Sequence, residues 1–153
     1  MNSLKIITLA GVMAVTALVA STPKEADAYY RHYYTAWRYQ PSYSYYYTTY
    51  YYKPITTYAS YHYHYCIYYP TQPRYVYYYN PIRNVYWGRF DLEGKEGQQY
   101  SLLAPEDQKS DLNAIPESAF PAPGPMPNIP DSSDGVSITP PSNLPTTDTT
   151  AKK

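Results

Sequence analysis

The chain has 153 residues, no formal net charge and 24 tyrosines, and its single cysteine excludes a scaffold held by internal disulfides. The zero charge conceals a division, because residues 29–87 carry five cations and no acid, whereas residues 88–153 carry ten acids and five cations. This division favours attraction between the two halves, within one molecule or between neighbours. Two separately solvated segments are the alternative.

Residues 1–28 are typical of a secretory signal peptide. A lysine precedes the uncharged apolar run 6–20, and Ala26 and Ala28 form an A-x-A cleavage site. Fifteen helical residues span about 22 Å, less than the roughly 30 Å of a bilayer's hydrocarbon core. We therefore expect cleavage after Ala28, only transient membrane contact, and a secreted or cell-envelope location. An uncleaved anchor is the alternative.

Residues 29–79 form a tyrosine-rich, basic segment, and 23 of the 24 tyrosines lie between positions 29 and 87. Tyrosine and threonine favour strands, and the prolines cut the segment into strand-length pieces, 43–52, 55–69 and 75–79. Both faces of such strands are aromatic, which specifies register weakly. We expect a segment that is poorly ordered alone or is ordered by assembly.

The tyrosine rings allow three interpretations. They can form a self-association surface, since tyrosine buries a large area and keeps a hydroxyl for a partner. They can be substrates for oxidative cross-linking outside the cell. They can also belong to a disordered aromatic linker with no dedicated partner. The density of rings favours the first interpretation, with cross-linking as its covalent extension.

His62, His64 and Cys66 are the only group with metal-ligand character. Alternation along a strand places them on one face, opposite Tyr61, Tyr63 and Tyr65. Imidazole and thiolate suit zinc or copper, but three ligands along one strand splay apart, and a fourth must come from elsewhere. His32 is the only other histidine. The sequence therefore predicts no metal site, with these three residues as a weak candidate.

Cys66 has no cysteine partner within the chain. In an exported protein it is either a free thiol or an intermolecular disulfide, and we treat it as a candidate for the second.

Residues 80–104 predict a β-hairpin, and residues 105–153 predict an acidic, proline-rich, disordered tail. The runs 85–90 and 98–103 flank a glycine-containing connector. Ten prolines lie between positions 105 and 145, so polyproline-II conformation is expected there. The predicted fold class is mostly disordered and low-complexity with minor β-structure: extended tyrosine-rich strands, one short hairpin and no conventional globular core.

Four short stretches carry a resemblance to a known group. Residues 86–91 (YWGRFD), 100–103 (YSLL), 115–121 (IPESAFP) and 123–130 (PGPMPNIP) resemble the C-terminal pattern of uncharacterised short secreted proteins of planctomycete bacteria. The resemblance covers about residues 80–145. It implies export and a bacterial envelope setting, and it transfers no activity and no site residue.

An enzyme is not expected, because the sequence offers too few aliphatic residues for a preorganised cavity and no histidine–carboxylate pair. We expect no cofactor and no nucleic-acid partner. The sequence favours an exported structural or adhesive protein of the envelope or matrix, whose partners are itself or cell-envelope polymers. The alternative is a module that binds extracellular polysaccharide by tyrosine and tryptophan stacking.

Overall fold

A computed structural model describes residues 31–145, which form one curled antiparallel sheet of seven strands. The spatial order is β1-β3-β4-β5-β6-β7, and β2 pairs with β3 on the same edge as β1. The expectation of a mostly disordered chain is therefore wrong. The strands are β1 (His32–Tyr34), β2 (Arg38–Gln40), β3 (Tyr45–Tyr52), β4 (His62–Tyr68), β5 (Tyr75–Asn80), β6 (Val85–Lys95) and β7 (Gln98–Leu102).

The proline-delimited pieces predict the central strands well. The piece 43–52 contains β3, the piece 75–79 coincides with β5 except for its last residue, and the hairpin is formed by β6 and β7. The piece 55–69 is only half strand, because a turn in which the amide of Tyr58 donates to Ile55 precedes β4. The predicted alternation is confirmed: His62, His64 and Cys66 pair with Tyr52, Tyr50 and Thr48 on one face.

The sheet has two aromatic faces, which we name by their central residues. The cysteine face surrounds Cys66, and the tyrosine face surrounds Tyr65. Tyrosine supplies the missing aliphatic volume on both faces, because its ring buries a large area while its hydroxyl finds a partner. The hydroxyls of Tyr34 and Tyr78 lie 3.1 Å apart, and those of Tyr69 and Tyr86 lie 3.0 Å apart. The core of the cysteine face includes Tyr50, Tyr52, Cys66, Tyr68, Val76, Tyr78, Trp87, Phe90 and Tyr100, and that of the tyrosine face includes Ile67, Tyr77 and Tyr86.

The proline-rich segment, residues 105–145, is packed rather than disordered. It contains short 3-10 turns, Pro105–Asp107, Leu112–Ala114 and Glu117–Ala119, and it crosses the edge of the sheet where Gly124 and Tyr100 exchange two backbone hydrogen bonds. Ile115 and Phe120 pack on the tyrosine face, and Ile129 and Ile138 pack on the cysteine face. Isolated apolar residues between prolines thus cover both sides of the sheet. The prediction of a disordered tail is therefore wrong for residues 105–145.

Three ion pairs stabilise the fold, and two of them, those of Arg31 and Arg89, fix this cover in place. Arg31 is buried beside β1 and donates to both carboxylate oxygens of Asp134 at 2.6 and 3.0 Å, and also to the carbonyls of Lys53 and Pro54. The other two pairs are Arg74 with Asp91, at 2.7 Å, and Arg89 with Glu117, at 2.5 Å. The pairs of Arg31 and Arg74 join the basic half of the chain to the acidic half within one molecule.

Candidate functional site

The tyrosine face is only partly covered, and a continuous series of rings remains accessible on β1, β3, β4 and the 3-10 turn Pro41–Tyr43 that precedes β3. The residues 105–120 cover its centre around Tyr77, whereas Tyr63 keeps 36% and Tyr43 keeps 66% of its surface exposed. We call this series the tyrosine surface. In order of contact it consists of Tyr33, Tyr51, Tyr63, Tyr65, Tyr47, Tyr45 and Tyr43.

The rings of the tyrosine surface contact each other directly. Successive centroids lie 5.1 to 6.3 Å apart, within the range of favourable stacked and edge-to-face pairs. Antiparallel register produces this row, since Tyr51 lies opposite both Tyr33 and Tyr63. The rings therefore hold each other in a fixed arrangement, and an incoming partner meets a surface that is already ordered.

The electrostatics of the tyrosine surface are neutral to positive. Burial raises the pKa of Tyr45 and of Tyr65, and neighbouring phenols raise both further, so these two hydroxyls are protonated at neutral pH and can donate hydrogen bonds. The ammonium group of Lys53 lies 4.9 Å from the ring centroid of Tyr61, a cation–π distance. The strands β1 to β5 contain no acidic residue.

A groove of about 610 Å³ borders the tyrosine surface on the side of β5. Rings of Tyr45, Tyr65, Tyr69 and Tyr79 form one wall, and residues 110–113 of the proline-rich segment form the other. The carboxylate of Asp111 accepts from the Asn113 amide at 2.9 Å and lies at this second wall. The groove thus combines aromatic rings with hydroxyl, amide and carboxylate groups.

The weak metal candidate does not assemble into a site. His62, His64 and Cys66 share a face of β4, but no group of three or more His, Cys, Asp or Glu side chains within residues 31–145 could hold a metal ion. The Nε2 of His64 lies 3.2 Å from the Tyr52 hydroxyl, and His32 is engaged elsewhere, with its Nδ1 3.0 Å from the Tyr50 hydroxyl.

Cys66 is fully buried on the cysteine face, beneath Tyr34 and Tyr78. Burial raises the pKa of its thiol well above the ordinary value, so the sulfur is a protonated, inaccessible thiol in the folded chain. An intermolecular disulfide at Cys66 would require this cover to open. The intermolecular disulfide stays a prediction, and it can form only if the fold opens around Cys66.

Two sequence-based predictions concern residues outside those described. The cleavage site at Ala26 and Ala28 lies before residue 31, so signal-peptide processing and export stay predictions. Within residues 31–145, no helix is both long enough and apolar enough to cross a membrane.

Sequence reasoning missed the contribution of residues 110–113 and of the first two strands. The strands β1 and β2 have only three residues each, which is too few for a recognisable sequence pattern. Both strands depend on pairing with β3. The packing of residues 110–113 depends on contacts over long sequence distances, such as the bond from the Tyr86 amide to the Lys109 carbonyl at 2.8 Å.

Comparisons with protein-family models, curated proteins and solved structures find no match to this chain. The resemblance to planctomycete secreted proteins therefore stays a prediction.

Proposed function

We propose that this chain is an exported structural or adhesive protein of the cell envelope or matrix, which self-associates through the tyrosine surface. The observation that carries the proposal is the unbroken row of seven rings in mutual contact, several of them exposed on an ordered sheet. Large ordered aromatic surfaces are typical of protein interaction sites. No catalysis and no cofactor belong to this proposal.

A second copy of the chain is the partner that the charges favour. Lys53 and Arg38 belong to the same half of the chain as the rings, and that half contains no acidic residue. In the other half of the chain, Glu96 and Glu106 are exposed. Each molecule can therefore offer a basic aromatic patch to the acidic part of the next. Such a head-to-tail contact need not close into a ring, and repeated contacts would produce an extended assembly.

Sedimentation velocity tests this proposal on the chain that begins at residue 29. We expect concentration-dependent assembly that weakens with added salt, since screening over about 8 Å at physiological ionic strength reduces attraction between charges that are not in contact. Replacing Tyr43 and Tyr63 with serine should abolish it. Tyr39→Ser is the matched control, because Tyr39 is 50% exposed but lies opposite Tyr46, on the other face of the sheet.

A monomer at every concentration and salt condition would refute self-association. Equal loss of assembly in the Tyr39→Ser control would show that general hydrophobicity, rather than the tyrosine surface, is responsible.

A second candidate function is binding of an extracellular polysaccharide, and the groove favours it. Tyrosine rings beside amide and carboxylate groups can stack on sugar rings and bond their hydroxyls. The two functions separate experimentally. A polysaccharide-binding module remains monomeric and is retained on a polysaccharide column, and Asp111→Ala should reduce its retention, whereas a self-associating protein assembles without the polymer.

A further inference from the structure

The 3-10 turn Pro41–Tyr43, which joins β2 to β3, carries the most exposed tyrosine among residues 31–145. Tyr43 keeps 66% of its surface exposed. All four residues 41–44 are exposed, and Ser44 has a φ of 52° where the chain turns into β3. The Tyr43 ring therefore lies on a turn, where a second molecule can reach it without meeting the backbone of a strand.

Tyr43 is also one end of the tyrosine surface. Its ring stacks on that of Tyr45, with 5.7 Å between the centroids and 12° between the planes. A stack of this kind covers one face of a ring and leaves its edge open. The two ring carbons beside the hydroxyl of Tyr43, which are the carbons that bond when phenoxyl radicals combine, are therefore accessible to a ring from another molecule.

We propose that Tyr43 is an oxidative cross-linking site, at which two copies of this chain are joined as dityrosine by a peroxidase that uses hydrogen peroxide. Each of the two tyrosines loses one electron and its hydroxyl proton. The two phenoxyl radicals then form a carbon–carbon bond between ring carbons ortho to the oxygens, and each ortho proton moves to its oxygen and restores the aromatic ring. The two electrons and two protons that were removed reduce one hydrogen peroxide to two waters.

The row of contacting rings favours Tyr43 over the other tyrosines. Because each ring of the tyrosine surface touches the next, an electron lost from one ring can be replaced from its neighbour, and the radical moves along the row. It settles where the hydroxyl proton can leave to water. Burial raises the pKa of Tyr45 and of Tyr65, so these two rings hold their protons more tightly. The exposed end of the row, Tyr43, releases its proton directly to solvent.

The side chains that would quench a tyrosyl radical are withdrawn from the surface. Thiols and indoles are oxidised as readily as phenols, and the sequence contains one cysteine and two tryptophans. Cys66 is fully buried, and Trp87 is 8% exposed. Trp37 is half-buried and donates its indole N–H to the Ser142 carbonyl at 2.9 Å. A radical on Tyr43 therefore persists until it meets a second radical.

This cross-link goes beyond self-association, because radicals on freely diffusing molecules also combine when they collide. Tyr43→Phe separates the two proposals. It keeps the ring that stacks on Tyr45 but has no hydroxyl from which a phenoxyl radical could form. We expect this variant to sediment like the parent chain and to lose the covalent link. A chain that never self-associates should still couple through Tyr43.

The test treats the chain from residue 29 with a peroxidase and hydrogen peroxide. Tyr29 and Tyr30 are replaced by phenylalanine in every sample, because they precede the described residues. Denaturing electrophoresis measures the covalent dimer, dityrosine fluorescence identifies the link, and mass spectrometry of the digested dimer locates the coupled residues. We expect Tyr43 to be the residue coupled most often, and Tyr43→Phe to lose most of the dimer.

Tyr39→Phe is the matched control. Tyr39 is 50% exposed and lies close to the same turn, but it faces Tyr46 on the other side of the sheet, outside the row. It should keep most of the dimer. Three results would overturn the proposal: no covalent dimer forms; dityrosine fluorescence appears without a dimer, which would place the link within one chain; or Tyr39→Phe loses as much dimer as Tyr43→Phe, which would mean that coupling follows exposure alone.

Discussion

Replacing Gly88 with alanine should destabilise the fold, because β6 and β7 leave no room for a side chain there. A methyl group at Gly88 would lie 2.6 Å from the Tyr100 hydroxyl oxygen and 2.8 Å from the Ser101 carbonyl oxygen. The carbonyl belongs to the backbone of the paired strand β7 and cannot rotate away. Overpacking of this kind costs about 1–3 kcal/mol.

The control for this variant is Gly124→Ala, at the bridge to the same tyrosine. A methyl group at Gly124 would lie 3.9 Å from its nearest neighbour, the Tyr100 carbonyl oxygen, which is an ordinary contact distance. We expect a change within about 0.5 kcal/mol there. Part of the Gly88→Ala loss should return when Tyr100 is also changed to phenylalanine, because the Tyr100 hydroxyl is buried without a partner among residues 31–145.

Thermal unfolding followed by near-ultraviolet circular dichroism measures these effects. For a domain of this size, 1 kcal/mol corresponds to roughly 3–6 °C in Tm, so a loss of about 1–3 kcal/mol in Gly88→Ala should lower Tm by about 3–18 °C. Equal Tm values for Gly88→Ala and Gly124→Ala would refute the packing described for β6 and β7. A parent chain without a cooperative transition would refute the ordered sheet itself.

Three further predictions follow from the ion pairs and from the buried thiol. Asp134→Asn should weaken the bidentate contact with Arg31 and make residues 126–144 the first site of limited proteolysis, whereas Glu96→Gln, at an exposed acid, should leave the digestion pattern unchanged. The arginine partners lower the pKa of Asp91, Glu117 and Asp134. Their stabilisation is therefore present above the unfolded values of about 4 and is lost as the pH falls through the lower folded values. Tm should be flat from neutral pH to about pH 5 and should fall below about pH 4; a Tm that rises on acidification would contradict these ion pairs. Cys66 should resist thiol reagents in the native chain and react at once in denaturant, and rapid native labelling would contradict its burial.

The sequence predicts the strands better than it predicts the core. Strand signals are local: tyrosine, threonine and proline spacing locate β3, β5 and the hairpin to within a few residues, and alternation places His64 and Cys66 on one face. The core is harder to predict, because tyrosine rings take the place of aliphatic side chains in it. Tyr50 and Tyr78 are fully buried in positions that isoleucine or leucine would occupy in an ordinary sheet.

The proline-rich segment differs from its prediction for another reason. Its composition describes a chain that forms no regular hydrogen-bonded structure, and that description is locally correct. Order comes from tertiary contacts instead, through single anchors such as Ile129 and Ile138 and through Asp134 with Arg31. Composition does not report these contacts, because each joins positions about a hundred residues apart or inserts one side chain between prolines.

The large sequence separation between Arg31 and its ion-pair partner has a consequence for biosynthesis. It binds Asp134, 103 residues later, and residues that follow Leu103 cover the cysteine face and the centre of the tyrosine face. A chain that emerges from a ribosome or a translocation channel N-terminus first would expose two bare aromatic faces until its last proline-rich residues arrive. Folding through such distant contacts is slow and leaves the intermediate prone to aggregation. A chain that stops near Leu103 would therefore be expected to need a chaperone or be degraded, although every strand is already present.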